Sequence, residues 1–84
     1  MKVEVFSGPN CSYCEQAKAL LQRKGIAFET LDIEADEDNR RELIERLPRA
    51  RALPQIFING NHIGSTEDLQ IMDERGELDE LMSE

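Results

Sequence analysis

Residues 3–25 read VEVFSGPNCSYCEQAKALLQRKG, and this stretch predicts a strand, a loop and a helix in that order. The short apolar run at its start is typical of a strand, and the Gly-Pro segment after it is typical of a loop. Apolar residues then recur at helical spacing up to Gly25, a residue that commonly ends helices. Cys11 and Cys14 therefore lie where the loop enters the helix.

The rest of the chain continues the alternation of strands and helices. Asn59-Gly60 is a two-residue hairpin signal, so the last two strands should be antiparallel, whereas the first strand–helix–strand unit should be parallel and right-handed. The predicted strands are 3–6, 26–33, 55–58 and a strand that begins near 62, and the predicted helices are 12–24, 36–46, 66–76 and a short turn near 78–82. This order predicts an α/β fold with a mixed four-stranded sheet, flanked by helices, in a single domain over residues 1–84.

Composition and charge narrow the class of protein. The chain has 84 residues, of which 39% are hydrophobic and 33% charged, which suffices for one core. A net charge of −8 without a basic patch argues against nucleic acid and against an anionic membrane surface. The sequence shows neither an apolar membrane span nor the apolar region of a signal peptide, so we expect a cytoplasmic protein.

The placement of the two cysteines indicates redox chemistry. Two thiols that are separated by two residues at the start of a helix are close enough to form a disulfide. Unpaired N–H groups and the helix dipole favour a thiolate at this position, and only a thiolate attacks a disulfide. Cys11 is therefore the predicted nucleophile, and Cys14 is the predicted resolving thiol.

Other uses of the cysteine pair fit the sequence less well. A structural zinc site takes four ligands, but this chain has two cysteines and a single histidine, His62, so no metal site within one chain is predicted. Two inert buried thiols would not be expected to enclose the polar Ser12 and the amphipathic Tyr13.

Four motifs of this chain, in this order, resemble those of the glutaredoxin family, and the resemblance covers essentially the whole chain. Cys-Ser-Tyr-Cys at 11–14 resembles the family's Cys-Pro-Tyr-Cys. Ala-Leu-Pro at 52–54 resembles Thr-Val-Pro, and Gln-Ile-Phe-Ile-Asn-Gly follows it at 55–60, as in bacterial members. His-Ile-Gly-Ser-Thr-Glu-Asp-Leu at 62–69 resembles a region that contains Gly-Gly-Cys-Asp-Asp-Leu.

The resemblance implies a thioredoxin fold with strand order 2-1-3-4, in which Pro54 follows a cis peptide bond and faces Cys11. It implies a redox-active disulfide between Cys11 and Cys14. Glutathione would be the reductant, and proteins that carry glutathione or disulfides would be the substrates. The implied glutathione-binding residues are Tyr13, Leu53, Pro54, Thr66 and Glu67. Arg51 is added to them as a substitute for a cation that many members carry elsewhere.

Three departures from the family pattern bear on this site. Gly8 stands where many members carry a Lys that pairs with the glycyl carboxylate of glutathione, and Arg51 is the cation best placed by sequence to replace it. Thr66 stands where the family often has Cys, and we expect its hydroxyl to cap the helix. Ser12 stands where the commonest motif has Pro, and some glutaredoxins with this motif hold a [2Fe–2S] cluster between two subunits.

The sequence is therefore interpreted as a monomeric, cytoplasmic, glutathione-dependent oxidoreductase. One alternative is a cluster carrier or sensor, dimeric through a [2Fe–2S] cluster held by Cys11 and glutathione. A second alternative is a redoxin reduced by thioredoxin reductase. Proteins of that kind usually have a Trp-Ser-Gly-Phe-type segment where this chain has Gly-Ser-Thr-Glu at 64–67, and this chain has no Trp.

Overall fold

The structure is a computed structural model that describes residues 1–83. The described chain alternates short strands and helices, as the sequence predicts. The elements are β1 (Val3–Ser7), α1 (Ser12–Arg23), β2 (Glu29–Asp32), α2 (Glu37–Arg46), β3 (Gln55–Ile58), β4 (Asn61–Gly64), α3 (Thr66–Glu74) and α4 (Glu77–Met82). None of the helices within 1–83 has the length and apolar character needed to cross a membrane.

The four strands form one mixed sheet in the order β2-β1-β3-β4. Strand β1 pairs in parallel with β2 and antiparallel with β3, and β3 pairs antiparallel with β4. The turn between β3 and β4 has Asn59 at φ 52° and Gly60 at φ 82°, the positive angles that a two-residue hairpin favours. The predicted thioredoxin fold and its strand order are thus confirmed.

The second strand is shorter than the predicted segment 26–33. Helix α1 ends with Gly25 at φ 72°, and the N–H of Ile26 donates to the carbonyl of Leu21 at 2.9 Å. This is the hydrogen bond of a helix-ending motif that requires a left-handed residue. Ile26 is buried in the core as part of that motif, so its apolar character reflects the end of a helix and β2 begins only at Glu29.

The sheet separates two groups of core residues. On one face, α1, α3 and α4 pack over β1 and β3 through buried residues that include Leu21, Ile56 and Leu69. On the other face, α2 covers the sheet through a smaller group formed by Phe6, Leu43 and Phe57. Helix α1 is therefore held by the larger group through its middle and last turns, at Ala17, Leu20 and Leu21.

A partly buried ion pair anchors α2 to the sheet. Arg46 donates to both carboxylate oxygens of Glu4 at 2.9 and 3.1 Å, and its guanidinium lies 5.3 Å from the Phe6 ring centroid and 4.8 Å from that of Phe57. Hydrogen bonding to Arg46 lowers the pKa of Glu4 although burial opposes the shift, and Glu4 and Glu42 together raise the pKa of Arg46. The pair fixes the end of α2, from which the chain continues toward Pro54.

Candidate active site

Cys11 and Cys14 are joined by a disulfide, with their Cα atoms 5.2 Å apart. Cys11 is the N-cap residue of α1 and is partly exposed, whereas Cys14 lies in the first turn and is only 1% exposed. The loop and the helix start hold the two sulfurs together, as predicted. A partner molecule can therefore reach Cys11, while Cys14 is reached from within the protein.

The start of α1 stabilises negative charge on Cys11. The backbone N–H of Cys14 donates to Sγ of Cys11 at 3.1 Å. After reduction, the same N–H and the positive end of the helix dipole would stabilise a thiolate at this sulfur. This is the electrostatic arrangement that a nucleophilic cysteine requires.

A groove of about 430 Å³ reaches the active-site segment at Tyr13, between the two cysteines, and is called here the cis-proline groove. The peptide bond between Leu53 and Pro54 is cis, as the family resemblance implies. The groove is lined by Tyr13, Gln16, Ala52, Leu53, Pro54, Ser65, Thr66, Glu67 and Gln70. The structure thus brings together five of the six residues that the sequence assigns to glutathione binding.

The four further lining residues were missed by the sequence analysis. Gln16 lies three positions after Tyr13 on α1, and Gln70 lies three positions after Glu67 on α3. Residues three apart on a helix occupy the same face, so this spacing could have identified both glutamines. Ala52 and Ser65 simply adjoin predicted residues.

Arg51 is the predicted residue that the structure does not bring into the cis-proline groove. Its side chain is exposed and is not part of the groove lining, so its contact with glutathione stays a prediction. The lining residues carry no positive charge. A β-carbon at Gly8 would lie 3.0 Å from Cδ1 of Leu53, which shows that the Leu53 side chain occupies the space beside Gly8.

A second, more polar groove is lined by Cys11 itself. It is lined by Gly8, Pro9, Asn10, Cys11, Ser12, Glu15, Lys18 and Asp32. Lys18 supplies its one positive charge and forms an ion pair with Glu15 at 2.9 Å. Hydrogen bonds from the backbone N–H groups of Ala35 and Glu34 lower the pKa of Asp32. Lys18 is therefore a cation near Cys11 that the sequence analysis did not identify.

The expectation that the Thr66 hydroxyl caps α3 is wrong. Thr66 is 2% exposed, and its hydroxyl donates instead to the carbonyl oxygen of Tyr13 at 2.6 Å. Ser65 is the N-cap residue, and its N–H donates to the Asp68 carboxylate at 2.8 Å. A side chain at Gly64, which has φ 122°, would collide with that carboxylate, so the cap requires glycine there.

His62 lies on β4, as predicted, and its side chain is exposed. Its Nε2 atom is 2.8 Å from Oε1 of Gln55. The Nε2 atom of Gln55 donates to the carbonyl oxygen of Ala52 at 2.9 Å. Within residues 1–83, no three His, Cys, Asp or Glu side chains are grouped as metal ligands. A metal held by one chain alone therefore has no ligand set among the described residues.

Comparison with known proteins shows that this chain is similar to glutaredoxins. The sequence matches the Glutaredoxin family model over residues 3–63. It is 45% identical to Glutaredoxin 3 of Escherichia coli (strain K12) over 80 residues, which cover 95% of each chain. It is also 40% identical to a probable glutaredoxin of Synechocystis over 81 residues, covering 96% of this chain and 92% of the relative.

Solved structures agree with the sequence comparison. The solution structure of glutaredoxin from Brucella melitensis superposes with a TM-score of 0.78 at 42% identity, covering 96% of this chain and 87% of that one. A buckwheat glutaredoxin–glutathione complex has a TM-score of 0.83 at 26% identity, covering 96% and 76%. With its thioredoxin fold and its cysteine pair at the start of α1, this chain belongs to the glutaredoxin family of thiol–disulfide oxidoreductases.

Proposed function

We propose that this protein is a glutathione-dependent oxidoreductase that reduces protein–glutathione mixed disulfides and protein disulfides. The observation that carries the proposal is the position of the Cys11–Cys14 disulfide at the start of α1, beside a groove built by a cis-proline and the start of α3. The disulfide supplies the redox chemistry. The groove supplies a place for a short peptide next to the reacting sulfur.

The reaction proceeds by two thiol–disulfide exchanges at Cys11. The Cys11 thiolate attacks the glutathione sulfur of a mixed disulfide, the substrate disulfide breaks, and the substrate cysteine leaves as a thiolate that takes up a proton. A second glutathione thiolate then attacks the glutathione sulfur bound to Cys11. Oxidised glutathione leaves, and the Cys11 thiolate is restored. The net exchange converts the mixed disulfide and one glutathione thiol into the substrate thiol and oxidised glutathione.

Substrates with a protein disulfide use Cys14 as well. Cys11 attacks one sulfur and forms a mixed disulfide with the substrate. The Cys14 thiolate then attacks Cys11, releases the reduced substrate and forms the disulfide seen in the structure. Because Cys14 lies in the first turn of α1 and is only 1% exposed, it reacts with its neighbour rather than with molecules in solution.

The cis-proline groove offers contacts for the cysteinyl part and for the γ-glutamyl end of glutathione. Leu53 precedes the cis-proline and would pair through its main chain with the cysteinyl part of the tripeptide. The first N–H groups of a helix lack partners within the helix and attract a carboxylate, so Thr66 and Glu67 at the start of α3 would bind the γ-glutamyl carboxylate. The Glu67 side chain suits the ammonium group of the same end. The related buckwheat protein has been solved with glutathione.

The choice of reductant is tested with the wild-type protein. We expect it to turn over a glutathione mixed disulfide when glutathione, glutathione reductase and NADPH supply the electrons. Thioredoxin reductase with NADPH should not support turnover. The opposite pattern would exclude glutathione as the reductant and favour the thioredoxin-reductase alternative, with the same disulfide chemistry.

Cluster binding is a second candidate function, because Ser12 stands in the active-site motif in place of Pro. In such a dimer, Cys11 of each chain and glutathione would hold a [2Fe–2S] cluster, whose chemistry would be electron or cluster transfer. We infer that disulfide chemistry takes precedence, since Cys11 already pairs with Cys14 in the structure.

The two functions separate on anaerobic reconstitution with iron, sulfide and glutathione. We expect a colourless monomer by size-exclusion chromatography, without visible absorbance from a cluster. A brown dimer that loses its colour in a Cys11→Ser variant would establish the cluster-bound form.

We further propose that the active monomer works in the cytoplasm, where glutathione keeps thiols reduced.

A further inference from the structure

A chain of two hydrogen bonds connects α3 to the sulfur of Cys11. The Thr66 hydroxyl donates to the carbonyl oxygen of Tyr13 at 2.6 Å, and the N–H of Cys14 donates to Sγ of Cys11 at 3.1 Å. That carbonyl and that N–H are the two ends of a single peptide group. Donation to an amide carbonyl polarises the amide and strengthens its N–H as a donor.

We propose that Thr66 is a positioning residue whose hydroxyl stabilises the Cys11 thiolate through the peptide group between Tyr13 and Cys14. The inference rests on the proposed role of Cys11 as the attacking thiol. A thiolate is an ionised acceptor, and hydrogen bonds to ionised acceptors are roughly twice as strong as those to neutral ones. The chain of bonds therefore favours the reduced, ionised state of Cys11 over the disulfide.

Other residues form the cap of α3, so the Thr66 hydroxyl is available to donate to the Tyr13 carbonyl. Ser65 and the Asp68 carboxylate form the cap of α3, so the helix does not need the Thr66 side chain for capping. Leu69, one turn later, is fully buried and holds α3 against the core. Thr66 itself is 2% exposed, so water does not compete freely for the Tyr13 carbonyl.

The effect on the reaction lies in the first exchange step. Ionisation of Cys11 releases its proton to solvent, and the thiolate then forms a bond to the substrate sulfur while the substrate disulfide breaks. A larger thiolate fraction at a given pH means a larger population of attacking sulfur. Thr66 thus acts on the chemistry without contacting the substrate through its hydroxyl.

Alkylation of Cys11 tests the proposal in variants that differ at one atom. Thr66→Val keeps the shape and removes the donor, whereas Thr66→Ser keeps the donor. The rate of reaction with iodoacetamide is measured against pH on reduced protein that also carries Cys14→Ala, so that a single thiol reacts. We expect the midpoint to rise by about 0.3–0.6 pH units in Thr66→Val, since polarisation adds a fraction of one bond. Because the thiolate fraction below the midpoint changes about tenfold per pH unit, this rise lowers the thiolate fraction by about twofold to fourfold.

The serine variant decides whether the hydroxyl or the packing matters. Thr66→Ser should keep the midpoint within about 0.1 pH units of the parent, because its donor can still polarise the peptide. An unchanged midpoint in Thr66→Val, or equal shifts in both variants, would overturn the proposal. Alkylation needs no glutathione, so this result is independent of whether glutathione is the reductant.

Should Thr66→Val not fold, the wild-type protein provides the answer. In a pH titration of reduced protein by NMR, the Cys14 amide proton, the Tyr13 carbonyl carbon and the Thr66 β-carbon should shift with the midpoint of Cys11. A Tyr13 carbonyl and a Thr66 β-carbon that stay constant while Cys11 titrates would contradict the proposal.

Discussion

Cys11→Ser should lose turnover of a glutathione mixed disulfide by roughly a thousandfold or more, because it removes the nucleophile of both exchange steps. A serine hydroxyl does not ionise at neutral pH and cannot accept the glutathionyl group. The variant should still fold, since Cys11 is partly exposed and caps the helix, and serine is a good N-cap residue. The measurement is the rate of NADPH oxidation coupled through glutathione reductase.

Cys14→Ala is the matched control for this prediction. Alanine is preferred to serine because Cys14 is 1% exposed, and a hydroxyl there would lack a partner in the core. Cys14→Ala should keep turnover of glutathione mixed disulfides and lose reduction of protein disulfides, which need the resolving thiol. If the two cysteine variants lost mixed-disulfide turnover equally, a pathway with Cys11 as sole nucleophile would be excluded.

Arg46→Met should lower the free energy of unfolding by about 3 kcal/mol, because it leaves the Glu4 carboxylate buried without its main partner. This value is the lower end for breaking a buried ion pair, since the Arg46 side chain is 27% exposed and water reaches part of it. Among residues 1–83, the one cation that remains near Glu4 is Lys2, whose Nζ lies 3.9 Å away on a mostly exposed side chain. Thermal unfolding should show a midpoint lower by roughly 12–24 °C for a domain of this size.

The double variant Glu4→Leu/Arg46→Met controls for the pair. Removing both charges leaves no buried carboxylate, and the two apolar side chains can pack against Phe6 and Phe57, so most of the lost stability should return. A double variant as unstable as Arg46→Met alone would show that packing, and not the unpaired charge, causes the loss. The pair lies across the sheet from the disulfide face, so mixed-disulfide turnover at a temperature where each variant is folded should change little.

The Glu4–Arg46 ion pair makes the free energy of unfolding depend on pH. The pKa of Glu4 is lower in the folded protein than its ordinary value because Arg46 donates to the carboxylate. Its contribution is therefore complete above the unfolded-state pKa, about 4.3, and is lost as the pH falls through the lower folded-state value. Urea unfolding between about pH 5 and pH 3 should show a smaller loss of stability in the double variant than in the wild type. Equal losses of stability in the double variant and the wild type would show that Glu4 does not contribute to the pH dependence.

Two departures from the family pattern are neighbours in the structure. A β-carbon at Gly8 would lie 3.0 Å from Cδ1 of Leu53, so a side chain at position 8 would contact the residue before the cis-proline. We expect either Lys18 in the neighbouring groove or the exposed Arg51 to supply the positive charge that the cis-proline groove lacks. Substituting Lys18 and Arg51 one at a time would show which of the two changes the KM for glutathione.

The sequence alone determined the features that depend on neighbouring residues. The cysteine pair at a helix start, the Asn-Gly hairpin and the glycine at the end of α1 are local patterns, because backbone angles and helix ends are set within a few residues. Even there, Ile26 was assigned to a strand because an apolar residue buried by a helix-ending motif resembles one buried by a sheet. The cis bond before Pro54 came from family resemblance, since local sequence favours the trans form.

The tertiary structure alone decided which distant side chains meet. Arg46 and Glu4 are 42 positions apart, and Thr66 and Tyr13 are 53 positions apart. Periodicity shows which face of a helix or strand is apolar, but the partner of a polar group within a core depends on how helices pack on the two faces of the sheet. For this reason the strand pattern does not identify Arg46 as the partner of Glu4, and packing makes this pair an anchor for α2. Thr66 is predicted as a helix cap, whereas packing makes it a contact to the active-site peptide.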